Sequence, residues 1–126
     1  MYIIIQKGVA NISIVLLGDD LAFLKRIKSG LQWDEARIHI PTRRMSKGED
    51  MHFASSTCNS LVMTSRRPST YGWWIAYLMR KGGTVFYNAQ YLNFGDYKQH
   101  DMFPPHWIPL RMVNIQSIDY EVEYDE

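Results

Sequence analysis

Residues 49–78 read EDMHFASSTCNSLVMTSRRPSTYGWWIAYL, and their reading decides the fold. A helix begins near Asp50, the apolar run 61–63 has strand length, 64–68 form a loop, and Ser69 and Thr70 open an aromatic helix. Trp73, Trp74, Ala76, Tyr77 and Leu78 are expected to crowd one broad face of that helix. A strand that ends in hydroxyls, arginines and a helix N-terminus can hold an anion. The first N–H groups of the helix are unpaired, they point outward with the positive end of the dipole, and Ser69 and Thr70 add hydroxyl donors. The same spacing also fits a capped helix that binds nothing.

Working outward, residues 2–6 are a short β-branched run and 7–10 a turn. Residues 11–17 are apolar enough for a strand buried on both faces, the habit of a parallel sheet. Gly18, Asp19 and Asp20 follow; either aspartate can cap the next helix, which carries Leu21, Phe23, Leu24 and Ile27 inward and ends at Gly30. Residues 36–40 form a further strand, 41–48 a basic loop with Arg43, Arg44 and Lys47, and 84–87 the last strand. Strands that begin about 24 residues apart with a helix in each gap have the spacing of right-handed βαβ units. The expectation is an α/β fold, a Rossmann-like, mostly parallel sheet with flanking helices. Residues 89–110 are polar and aromatic with three prolines and read as a long extended loop that Trp107 and Pro109 pack against the sheet. The domain is drawn over 1–110, and the acidic tail 111–126 is read as a solvated end rather than an edge strand.

Composition excludes several classes. The 126 residues suffice for one core but not for two lobes. With 46% hydrophobic and 21% charged residues the chain is not of disordered composition. A net charge of +1 gives no electrostatic case for nucleic acid or an anionic membrane surface. Cys58 is the single cysteine, which rules out an intrachain disulfide and a cysteine-based zinc site, and it reads as a small core residue. The apolar N-terminus is broken by Gln6, Lys7 and Gly8 well short of the roughly 20 residues of a membrane span. No basic stretch precedes it, as a signal peptide requires. The four histidines have no metal-ligand spacing, and neither a G-x-S-x-G nor a phosphate-loop sequence is present.

Asp50, Ser55, Cys58, Val62 and Thr64, followed by Ser69, Thr70, Tyr71, Gly72, Trp74, Ala76, Tyr77 and Leu78, match in order the pattern D-x-x-x-x-(S/T)-x-C-x-x-x-(I/V)-x-(T/S), then S-T-(Y/F)-(G/S)-x-W-x-A-(Y/W)-L. This resembles the final donor-site motif of the alpha-1,2-fucosyltransferase family, and weaker similarity extends over roughly 15–110. The resemblance implies part of the C-terminal lobe of a GT-B glycosyltransferase that moves L-fucose from GDP-fucose to a galactose hydroxyl of a glycan with inversion. It also implies no metal or other cofactor, and a Golgi membrane or lumenal setting for a full-length parent. On that footing Ser69, Thr70 and the Tyr71 N–H are the donors for the diphosphate, with Arg67 adding charge. Asp50 sits at the motif position associated with the base, where a carboxylate can accept the paired N1–H and N2–H₂ of guanine; it can equally cap its helix. Asp19 and Asp20 are the candidates for a general base, and the alternatives are a capping pair or a pair of metal ligands. The chain departs from the family in having no H-x-R-R-x-D motif, whose arginine the resemblance assigns to the diphosphate. An inactive module that still binds GDP or a GDP-sugar is therefore the second expectation.

Overall fold

A computed structural model describes residues 2–7, 12–31, 34–41, 43, 45–65, 69–89, 98–112 and 120–122. Strand β2 (Ile12–Leu17) leads through Asp20 into helix α1 (Leu21–Gly30), and a single 3-10 turn (Glu35–Arg37) leads into β3 (Ile38–His39). Helix α2 (Lys47–Thr57), β4 (Ser60–Met63), α3 (Thr70–Tyr77) and β5 (Thr84–Asn88) follow. A short helix α4 (Gln99–Met102) and β6 (Ile108–Met112) come next; β1 (Tyr2–Lys7) precedes β2, and β7 (Tyr120–Val122) ends the described chain.

Among the described residues the strands form one seven-stranded sheet in the order β3-β2-β1-β4-β5-β6-β7. Pairs β2–β3, β4–β5 and β5–β6 are parallel, while β1 is antiparallel to both β2 and β4, and β7 to β6. Since β1 opposes both of its neighbours, β2 and β4 run the same way, and β2 to β6 all point to one rim. The mostly parallel α/β expectation therefore holds, with β1 and β7 as the two opposed strands. β1 opposes its neighbours because it enters β2 by a hairpin, with Lys7 opposite Ile12, and a hairpin reverses the chain.

The two faces are filled by different helices. Leu16 packs with Leu24 of α1 and Ile38, whereas Leu17, its neighbour in sequence, belongs to a larger core with Ala54, Cys58, Leu61, Met63, Ile75, Ala76, Val85 and Tyr87. Adjacent residues of a strand point to opposite faces, so α1 covers one side and α2 with α3 the other. Alternation along β4 and β5 puts Leu61, Met63, Val85 and Tyr87 under α2 and α3.

Several elements differ from the sequence reading. Residues 36–40 yield only a two-residue strand, because Asp34 Oδ1 accepts the Ala36 N–H and winds 35–37 into the 3-10 turn. In α1 only Leu24 is buried, while Leu21 and Phe23 face outward; a helix at the sheet edge has too little apolar surface beneath it for a wider stripe. In α3 the buried set is Gly72, Ile75 and Ala76, and Trp74, Tyr77 and Leu78 are half exposed. The 89–110 stretch is more regular than a loop. Trp73 donates from Nε1 to the Met102 carbonyl at 2.6 Å, and Trp107 and Phe103 are buried beside Trp73 and Tyr87. These aromatics fix the approach to β6, whose Pro109 pairs with Tyr87. Tyr120–Val122 lies in the tail read as solvated, yet it pairs with β6.

Candidate active site

The C-terminal ends of β2, β3 and β4 share one rim, and each is followed by a helix whose N-terminus returns to it. Three positive dipole ends thus converge there. Each is closed by a different cap. Asp20 Oδ1 accepts the Phe23 N–H at 3.0 Å in α1, and Ser69 Oγ accepts the Gly72 N–H at 3.4 Å in α3. In α2 Ser46 Oγ accepts from the Glu49 N–H at 3.2 Å while Glu49 Oε2 accepts from the Ser46 N–H at 2.7 Å, a complete capping box.

That box changes the reading of Asp50. With Ser46 as the N-cap and Glu49 completing the box, Asp50 lies in the first turn of α2 but is not the residue that caps it. Its carboxylate instead lines a cleft of about 610 Å³ with Gly18, Asp19, Leu16, Leu17, Leu21, Leu24, Ile40, Pro41, Arg43, Met45 and Lys47. The cleft has apolar walls from β2, β3 and α1, and charged groups from the β2 and β3 ends and from α2. Burial raises the Asp50 pKa above its ordinary value; the Tyr71 hydroxyl works the other way, and the charges of Asp19 and Glu49 raise it further. Asp50, Asp19 and Tyr71 are thus one electrostatic group.

The other sequence-predicted residues divide clearly. Asp19 lines the cleft, whereas Asp20 is the α1 cap and does not. Ser69, the cap of α3, is half-buried, Thr70 is exposed in the first turn, and neither lines the cleft. Arg67, like Arg66 and Arg44, lies outside the described residues. No group of three or more His, Cys, Asp or Glu side chains that could hold a metal occurs among the described residues. Nor is any helix among them long and apolar enough to cross a membrane. Sequence reasoning missed two features of the cleft. Lys47 was assigned to the basic loop, but it is the first residue of α2, and the S-x-x-E spacing of Ser46 and Glu49 was the signal that would have shown this. The influence of the Tyr71 hydroxyl on Asp50 left no local signal, since the two are 21 residues apart.

The profile of glycosyl transferase family 11 matches residues 4–111. The candidate galactoside 2-alpha-L-fucosyltransferase svh-11 of Caenorhabditis elegans is 33% identical over 123 residues, covering 89% of this chain and 33% of that protein. Two galactoside 2-alpha-L-fucosyltransferases of the same organism are 31% identical over 111 residues and 23% identical over 130, covering 83% and 84% of this chain and 31% and 32% of their own length. The chain therefore spans about a third of the length of the curated relatives it matches. No solved structure matches it. Most of the chain, including the stretch around Asp50 and the start of α3, falls within the family match: the chain belongs to glycosyl transferase family 11, the alpha-1,2-fucosyltransferase family.

Proposed function

We propose that the chain is the nucleotide-sugar-binding part of a fucosyltransferase that takes L-fucose from GDP-fucose and passes it, with inversion, to a galactose hydroxyl of a glycan. The carrying observation is Asp50: a half-buried carboxylate, relieved of capping by the Ser46–Glu49 box, stands in a cleft at the strand ends of an α/β sheet. There it accepts the guanine N1–H and N2–H₂ while the leucine, isoleucine and proline walls enclose the ring. Ser69 uses its oxygen for the Gly72 N–H and retains its own hydroxyl proton for a phosphate oxygen. Thr70 and the Tyr71 N–H complete the donors, and Arg67 adds charge. As the glycosidic bond breaks, negative charge collects on the diphosphate, and the positive end of α3 stabilises it.

Of the two candidate bases, Asp20 is occupied as the α1 cap and Asp19 lines the cleft that takes the guanine, so the acceptor hydroxyl proton is not routed through either. The reading includes no metal, and by family resemblance it sets the parent enzyme in the Golgi. Calorimetric titration with GDP and ADP, beside a fucosyl-transfer assay, tests it. GDP is expected to bind at least about tenfold more tightly than ADP, a preference that Asp50→Asn erases. Equal binding of the two nucleotides, or none, overturns the proposal; GDP binding without transfer moves it to a module that holds the donor only.

A further inference from the structure

Lys47 stands where a lysine is electrostatically out of place. It is the first residue of α2, at the positive end of the helix dipole, and Glu49, the acidic group of that turn, is engaged with the Ser46 N–H. Among the described residues no ion pair holds it. A cation at that helix end that gains no structural partner is the kind of local misfit expected at a functional site. Lys47 and Asp50 are three positions apart on one helix, hence neighbours on one face, and both line the same cleft.

We propose that Lys47 and Asp50 act together as the guanine selector, Asp50 accepting from N1–H and N2–H₂ and the Lys47 ammonium donating to O6; this rests on the donor reading given above. The order of charges along the helix face matches the order of groups along the guanine edge: an acceptor, O6, beside two donors. Adenine reverses it, presenting an amino group to the ammonium and a lone pair to the carboxylate, so the pair rejects adenine as well as recognising guanine.

NMR titrations of the full chain with guanosine, GDP and ADP test the assignment on Lys47→Met, Lys47→Arg and Asp50→Asn. Lys47→Met is expected to weaken guanosine and GDP by the same factor, about tenfold, and to leave ADP unchanged, while Lys47→Arg, which keeps a donor, restores most of the affinity. Removing a cation from the positive end of α2 is not expected to lower the melting temperature. A loss confined to GDP would show that Lys47 touches phosphate rather than base and overturns the proposal; so does a Lys47→Met protein that binds guanosine as the wild type does. If instead the wild type fails to prefer guanosine over adenosine, or Asp50→Asn changes neither, the guanine reading itself is at fault and the selector falls with it.

Discussion

Asp50 carries a cost that its surroundings do not remove. Burial, the largest influence, raises its pKa, with Asp19 and Glu49 adding to the rise and the Tyr71 hydroxyl opposing it. A carboxylate whose pKa is higher folded than unfolded stabilises the fold below the unfolded value, and that contribution is lost as pH rises through the folded value. Asp50→Asn should therefore melt at an equal or higher temperature than the wild type at neutral pH, while losing the proposed guanine preference; thermal melts at pH 4 and pH 7 check the sign. A lower melting temperature at neutral pH would contradict it. Guanine donors favour the ionised form, so GDP affinity should fall as pH drops and Asp50 gains its proton, with proton release on binding visible as a buffer-dependent enthalpy. Cys58 behaves in the opposite sense for function: burial pushes its thiol up to about 11, leaving it protonated and inert. Alkylation should proceed only as the chain unfolds. At this scale the sequence alone made Cys58 legible as a core residue, because a lone cysteine in an apolar pattern has few other uses. It left Asp50 between two roles, since its release from capping depends on a neighbour's hydrogen bonds.

Among the elements, α2 lines the cleft and α3 starts on the same rim, and both depend on their ends. Ser46→Ala removes the box that frees Asp50 and should cost about 1 kcal/mol, or about 4 °C in melting temperature. It is also expected to weaken GDP binding, because Asp50 is then drawn toward the vacant helix end. An unchanged GDP affinity would argue against that coupling. Trp73 anchors α3 to the segment before β6: Trp73→Phe keeps the ring against Trp107 and Tyr77 but strands the Met102 carbonyl, for an expected loss of about 1–2 kcal/mol and faster amide exchange at Asp101 and Trp107. The strong elements were legible because their periodicity is local: β2, β4, α3 and β5 appear where apolar runs and hydroxyl caps put them. β6 was not, since Ile108–Met112 contains a proline and becomes a strand by pairing with β5 and β7 while aromatic side chains pin the segment before it. Nor was the outward face of α3, because Trp74 and Tyr77 match an apolar stripe as well as the buried Ile75 and Ala76 do.

On the scale of the whole molecule, the proposed function rests on one geometric arrangement. Five strands point to the same rim, three helix N-termini return there, and a cleft on that rim is lined by Asp19, Lys47 and Asp50. The α/β class and the rim were legible from strand spacing, and the family from the motif around Asp50 and Ser69. The reversed β1 went unread although its signal was present, since the few residues between the 2–6 run and the next strand make too short a connection for a crossover and allow only a reversal. The chain spans about a third of the length of its curated relatives, and the proposed donor binding is the part of the activity expected of these residues. Titration of GDP into the isotopically labelled chain, followed amide by amide, tests that most directly. Saturable shifts are predicted at Gly18, Asp19, Lys47, Asp50 and the 69–71 turn, with the Gly82–Gly83 turn at the other end of α3 unmoved. Shifts at that turn with none around Asp50, or no saturable shift anywhere, would contradict it.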